Sequence, residues 1–201
     1  MTNIALSFSG GKDSMFALHR LLEQGNTVVC LITTVWSKSG ETVAHGEKLD
    51  RLEDQAVRLN IPIEWVVTDF ENYTADYKRK LEEIKKDYQI EGIGYGDIYL
   101  EGHREWGEKL AESVDLKAYY PLWTEQEEAL KLLIDFVDAG YKSKIVKLDE
   151  NKLPSVWLGR EIDKHFIEDI VTFDVCPLGE SGEYHTYVYD GPLFRGDRSY
   201  P

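Results

Sequence analysis

The chain has 201 residues, 42% apolar and 30% charged, with five Trp, twelve Tyr and seven Phe. That composition supplies one sizeable core and excludes a disordered or collagen-like chain. Its 23 Lys and Arg against 37 Asp and Glu leave a formal charge of −14, which repels a polyphosphate backbone and counts against a nucleic-acid partner.

In chain order, Asn3 to Phe8 reads as a strand, and a helix follows from Asp13 with Phe16, Ala17, Leu18, Leu21 and Leu22 apolar and Gly25 closing it. Thr27 to Val35 (TVVCLITTV) is β-branched and almost wholly apolar, as in a central strand buried on both faces. Lys48 to Leu59 carries Leu49, Leu52, Ala56 and Leu59 at helical spacing. Pro62 to Val67 is the next strand, and Tyr73, Tyr77, Leu81, Ile84 and Tyr88 mark the next helix. Ile90 to Tyr95, His103 to Val114 and Leu116 to Tyr120 then give strand, helix and strand. Strands alternating with helices of this length imply crossover connections and a parallel α/β sheet covered on both faces.

The rhythm changes near Trp123. Thr124-x-x-Glu127 has the spacing of a capping box opening a helix to Gly140, Tyr141 to Leu148 alternates as a half-exposed strand, and a second strand-like run is TYVYD. The expected division is residues 1–123 as the α/β core and 124–201 as a smaller α+β lobe. Cys30 and Cys176 lie on unrelated segments, so they form neither a disulfide framework nor a zinc ribbon, and Cys30 in its apolar run reads as a small buried hydrophobe. No apolar stretch reaches the roughly 18 residues that span a bilayer. The opening residues lack a basic region and a cleavage pattern, so a cytoplasmic protein without membrane contact is expected.

Chemistry concentrates first in Ser9-Gly10-Gly11-Lys12-Asp13-Ser14, between the first strand and the first helix. In an open parallel sheet ligands bind beyond the carboxyl ends of the strands. Two glycines allow a tight turn, the amides at the helix N-terminus attract an anion, and Ser9, Ser14 and Lys12 add two hydroxyls and a charge. This is a cradle for phosphate or pyrophosphate; the plainer alternative is a turn with Asp13 or Ser14 capping the helix. The spacing fits neither the Walker loop nor the dinucleotide fingerprint, since Lys12 is followed by Asp13 and Gly92-x-Gly94-x-Gly96 lacks the final glycine. Asp97 follows a strand expected to end on the same edge. It and Asp13 are each a candidate magnesium ligand or helix cap. His45 stands in a loop after the second strand, where a solvated side chain is the plainer reading, and Arg195-Gly196-Asp197 reads as a turn.

SGGKDS resembles the pyrophosphate loop of the ATP pyrophosphatases with an adenine nucleotide α-hydrolase-like fold. Gly96-Asp97-Ile98, His103-Arg104-x-Trp106 and Pro121-Leu122-Trp123, then Gly179-Glu180-Ser181-Gly182-Glu183-Tyr184-His185-Thr186 and Asp190-Gly191-Pro192-Leu193-Phe194, resemble in order the motifs of the diphthine–ammonia ligase family, with Ser181 the one visible departure. The resemblance spans residues 9–194. It implies a Rossmann-like sheet and cleavage of ATP between the α and β phosphates. It also implies an adenylated carboxylate and amide formation with ammonia; in the family that carboxylate belongs to diphthine, a modified histidine on translation elongation factor 2.

Carried onto this chain, the resemblance implies that ATP and Mg²⁺ are held by Ser9, Gly10, Gly11, Lys12, Asp13, Ser14, Gly96, Asp97, His103 and Arg104, and by Thr33 at the end of the second strand, where adenine meets the backbone in such folds. Asp13 and Asp97 are the metal candidates. Lys12, Glu183 and His185 are the catalytic candidates, and Glu180, Gly182, Glu183, His185 and Thr186 face the substrate. Glu183 and His185, two apart on a strand, share a side; a carboxylate with an imidazole can bind ammonium and remove its proton. The alternatives are a module that binds ATP or AMP without turnover and, ranked last, a tRNA-modifying relative of the loop, whose chemistry enlists a cysteine pair and a basic surface. Free ammonia is the expected nitrogen source, and self-association into a homo-oligomer is left open.

Overall fold

The computed structural model describes residues 1–43, 46 and 49–195. His45 and most of the Arg195-Gly196-Asp197 turn lie outside the described residues. Five strands form one wholly parallel sheet in the order β3-β2-β1-β4-β5: β1 Asn3–Ser7, β2 Thr27–Trp36, β3 Ile63–Thr68, β4 Gly92–Gly94 and β5 Lys117–Tyr119. The helices between them are α1 Lys12–Glu23, α2 Leu49–Leu59, α3 Tyr73–Tyr88 and α4 Glu101–Glu112. The alternation of apolar runs and amphipathic helices therefore became the α/β sheet it predicts.

The two faces of β1 explain its unbroken apolar run. Ile4 and Leu6 pack with Leu18 and Leu21 of α1 and Leu52 and Leu59 of α2, whereas Ala5 packs with Tyr77 and Leu81 of α3 and Leu110 of α4. Each such side chain, fully buried, contributes about 1.5–3 kcal/mol before chain entropy is subtracted. Cys30 belongs to the second of these clusters and is wholly buried; burial, with a smaller push from Glu64, raises its thiol pKa to about 12. It is a packing residue. Gly25 ends α1 as expected: its φ is +80°, its amide donates to Leu22 and the amide of Asn26 to Leu21.

Beyond the sheet come α5 Ala129–Asp138, β6 Lys142–Leu148, α6 Lys164–Ile170 and β7 Tyr184–Asp190, with β6 and β7 paired antiparallel. The Thr124–Glu127 capping box does not form. A 3₁₀ turn at Gln126–Glu128 precedes α5, no side-chain cap is made, and the Thr124 amide instead donates to the Ile98 carbonyl. The helix starts two residues beyond Glu127, so the spacing is right and the register wrong. The C-terminal elements share the α1/α2 core: Phe16 of α1 meets Phe136 edge-on at 6.0 Å, and Phe136 stacks on Tyr141 at 5.1 Å.

Candidate functional site

β1 is flanked by β2 on one side and β4 on the other, so the chain reverses its direction of travel across the sheet between β1 and β4. The crevice beyond the strand ends at such a point is where open α/β sheets bind ligands. Here it is a cavity of about 350 Å³. Ser9, Lys12, Asp13 and Ser14 line it from the first loop, Thr33 from β2, Gly96, Asp97 and His103 from beyond β4, and Glu180, Gly182, His185 and Thr186 from the C-terminal stretch.

The loop is closed by its own serines. Ser9 Oγ lies 3.2 Å from Ser14 Oγ, and Ser14 Oγ donates to the Gly11 carbonyl at 3.1 Å. Gly10 and Gly11 are absent from the cavity wall and serve the turn. Gly10 has φ +77°, and a Cβ there would stand 2.5 Å from Gln55 Oε1. Its carbonyl accepts from the Val188 amide and from Gln55 Nε2, both at 3.0 Å. The Lys12 amide donates to Thr186 Oγ1 at 3.0 Å. The first loop is thus hydrogen-bonded directly to β7, some 175 residues away, and not all of its amides stay free for an anion as the sequence suggests.

Lys12 is buried. Its ammonium contacts both Asp13 carboxylate oxygens at 2.8 and 2.9 Å, donates to the Leu178 carbonyl and lies 5.2 Å from the centroid of the Tyr184 ring. Burial raises the Asp13 pKa, Lys12 pulls it back and Asp97 pushes it further up. Gly96 lets the β4–α4 connection press onto the start of α1, since a Cβ there would be 3.0 Å from the Ser14 nitrogen. Asp97 Oδ1 meets His103 Nδ1 at 3.0 Å; that bond raises the His103 pKa against the opposing effect of burial. The Thr33 hydroxyl donates to the Phe8 carbonyl at 2.5 Å.

Among the described residues no group of three or more His, Cys, Asp or Glu converges as a cage for a metal. Mg²⁺ does not need one: it takes one or two carboxylates and completes its shell with water and substrate phosphates. Asp13 and Asp97, two hard oxygen donors on one cavity wall, fit that requirement.

Besides Gly10 and Gly11, two more expected site residues stand off the cavity wall. Arg104 is absent from the cavity wall. Its Nε donates to Glu108 Oε1 at 2.9 Å and its guanidinium lies 4.8 Å from the Trp123 ring, because the helical i, i+4 partner captures it. Glu183 precedes β7 and is absent from the cavity wall that His185 lines. It is buried, accepts from the amides of Ser181 at 2.9 Å and Cys176 at 3.4 Å, and pairs with Lys152 at 3.5 Å. The expected Glu183–His185 pair is therefore not formed. Glu180 does face the cavity, where burial first and then Asp13 and Asp97 raise its pKa to about 7 against Lys12 and His103. His185 is shifted down by burial, then by Lys147 and Lys12.

Sequence reasoning missed Tyr184, the Leu178 carbonyl and Gln55. Gln55 had a signal: it interrupts the apolar stripe between Leu52 and Leu59, and its Nε2 bridges Gly10 and Val188 carbonyls. Leu178 had none, because a backbone carbonyl leaves no trace in side-chain identity.

A glycine turn at the switch point of a parallel sheet, with β7 and the segment before it lining the same cavity, defines an α/β protein with a cleft at the strand ends. The chain belongs to the diphthamide synthase family: that family's N-terminal domain matches residues 1–118 and its C-terminal domain residues 128–198. It is similar to the diphthine–ammonia ligase of Danio rerio, 25% identical over 211 residues that cover 93% of this chain and 82% of that protein. The Homo sapiens diphthine–ammonia ligase is 25% identical over 219 residues, covering 96% and 80%. The Schizosaccharomyces pombe diphthine–ammonia ligase is 27% identical, and this chain matches 34% of its length. A crystal structure of a predicted subunit of tRNA methyltransferase from Methanocaldococcus jannaschii shares the fold, with a TM-score of 0.50 and 18% identity over 94% of this chain and 97% of that one. Among the described residues no helix is long and apolar enough to cross a membrane.

Proposed function

We propose that the protein is an ATP-dependent, AMP-forming amide ligase that joins ammonia to a carboxylate, with diphthine on elongation factor 2 as that carboxylate and the cytoplasm as its place of work. One observation carries the reading: in a chain of this family, the first loop and the C-terminal stretch, far apart in sequence, line one cavity. The substrate carboxylate attacks the α-phosphorus of ATP, pyrophosphate leaves, and the acyl carbon then exchanges AMP for ammonia.

In this scheme residues 1–123 supply the nucleotide side and residues 124–201 the acceptor side. The N-terminus of α1, the Ser9 and Ser14 hydroxyls and the Lys12 ammonium stabilise the charge that develops on departing pyrophosphate. Mg²⁺ on Asp13 and Asp97 would add charge neutralisation at the phosphates. His185, whose pKa is lowered, stays neutral near pH 7 and is able to accept a proton from the incoming nitrogen. The Asp97 carboxylate orients His103 at the cavity rim.

Phosphorus NMR of a mixture containing the protein, ATP, Mg²⁺, ammonium and diphthine-bearing elongation factor 2 tests the reading. AMP and pyrophosphate formed in step with amide are expected. ADP and orthophosphate, or no turnover with unimpaired ATP binding, would overturn it, the latter in favour of a non-catalytic nucleotide module.

A further inference from the structure

On α2 the apolar residues Leu52, Ala56 and Leu59 are buried, and Gln55 stands among them with no exposed surface. A position so enclosed is filled most favourably by an apolar side chain. The amide is not even fully satisfied there: among the described residues its Oε1 is buried without a hydrogen-bond partner. Its Nε2 is the opposite, donating to the Gly10 carbonyl at 3.0 Å and to the Val188 carbonyl at 2.6 Å. Exchanging the oxygen and nitrogen of the amide would set an oxygen against both carbonyls, so these acceptors fix which end points at the loop. The fold tolerates a stranded oxygen and keeps two donors on those carbonyls.

Gly10 is shaped to receive them. Its φ is +77°, and its missing side chain lets the amide approach, since a Cβ there would stand 2.5 Å from Gln55 Oε1. The Gly10 carbonyl accepts a second bond, from the Val188 amide at 3.0 Å. A trans peptide points its carbonyl and its N–H in opposite directions. With the Gly10 carbonyl held by α2 and β7, the Gly11 N–H is turned the other way, onto Ser9 Oγ at 3.4 Å. Ser9 lines the cavity, and its hydroxyl donates to Ser14 Oγ at 3.2 Å. The contacts therefore run from the Gln55 amide through the Gly10–Gly11 peptide to the Ser9 hydroxyl. A buried side chain absent from the cavity wall sets the direction of a donor on that wall.

We propose that Gln55 is the positioning residue of the first loop: it fixes the Gly10–Gly11 peptide so that the Ser9 hydroxyl is already in place when the β and γ phosphates of ATP arrive. Gln55 touches no phosphate itself and acts through Gly10. Because the same Nε2 also holds Val188, the loop and β7 keep one relative position while the nucleotide binds. Donors fixed in advance need no reorganisation as charge develops on them. The assignment rests on the ligase reading above, in which this loop takes the departing pyrophosphate.

Calorimetric titration of ATP, pyrophosphate and AMP, each with Mg²⁺, into the wild type, Gln55→Met and Gln55→Asn tests this, with Arg58→Met as the control. Methionine keeps the volume without the donor, and asparagine keeps the donor on a shorter arm. Arg58 is also buried on α2 and donates to the Tyr189 carbonyl at 2.6 Å, so it ties α2 to β7 without reaching the loop. For Gln55→Met, ATP and pyrophosphate affinities should fall by about tenfold or more, with AMP affinity as in the wild type, because AMP lacks the β and γ phosphates. Gln55→Asn should fall between. Arg58→Met should melt at a lower temperature and keep the wild-type ratio of ATP to AMP affinity. Equal losses for AMP and ATP in the Gln55 variants, or the same selective loss in Arg58→Met, would make the role one of packing and overturn the proposal. Unchanged affinity for all three ligands would overturn it as well. Where Gln55→Met does not fold, Gln55→Asn decides by the same criteria. Wild-type protein that binds neither ATP nor pyrophosphate would overturn the ligase reading, and this assignment with it.

Discussion

The first loop and the C-terminal stretch build the same cavity by opposite means. The loop is local: six consecutive residues at a strand–helix junction, where the amides of a helix N-terminus and two serines lie together by geometry alone. The C-terminal stretch is assembled from afar, with Thr186 bonded to the Lys12 amide, Val188 to the Gly10 carbonyl and Leu178 to the Lys12 ammonium. Residues that are neighbours there do different work. The difference teaches that sequence spacing predicts a shared role where the backbone is a helix end, and fails where the chain turns through left-handed glycines.

The sharpest way to break this contrast is Lys12→Ala. Because Lys12 is buried against Asp13 and Leu178, its loss should do more than weaken ATP binding. It leaves Asp13 without its counter-charge, and a loss of about 3 kcal/mol in unfolding free energy is expected, measured by urea denaturation. Unchanged stability would mean that the loop stands independently of the lobe.

Glu180→Gln should do the reverse. The folded-state pKa of Glu180 is raised from 4.5 to about 7, so its contribution to stability is fully present below about pH 4.5 and lost as pH rises through 7. At pH 8 the variant, free of that buried charge, should be more stable than wild type by roughly 1–3 kcal/mol, with the gain gone at pH 4. Thermal melts at the two pH values read this directly, and equal gains at both would exclude a charge origin. Glu183→Ala should instead be destabilising at both pH 6 and pH 8, by about 1–3 kcal/mol, because the Ser181 and Cys176 amides lose their acceptor. A Glu183 variant with full stability would remove the contrast between the two glutamates.

Thr186→Val should cost about 1 kcal/mol through the stranded Lys12 amide, and crystal structures of the variant should show the loop shifted from β7. The smallest effect is expected at Arg104→Ala: nucleotide affinity by calorimetry and amide formation should match wild type. A clear loss of either would return Arg104 to the site.

Most of the fold was legible in the sequence because the inner strands β1, β2 and β4 are buried on both faces and each helix on one. Period and apolarity therefore report burial directly, as at Thr27–Val35 and at Tyr73, Tyr77 and Leu81. The capping box at Thr124 was misread because spacing alone does not say where the Thr124 amide finds its acceptor, and Ile98 supplied one from another element. The place of the first loop at the cavity was legible for the same local reason as the strands: strand end, glycine pair and helix start are contiguous.

The sequence by itself determined the sheet, the pyrophosphate-type loop and the presence of a C-terminal motif with ionisable side chains. Only the tertiary structure decided which of those side chains meet the cavity. Glycine at 179 and 182 turns the backbone through conformations that carry no side-chain signature, so Glu180 is delivered to the cleft and Glu183 to the interior. Once there, burial and neighbouring charge set them apart, and both are properties of surroundings that no stretch of local sequence contains.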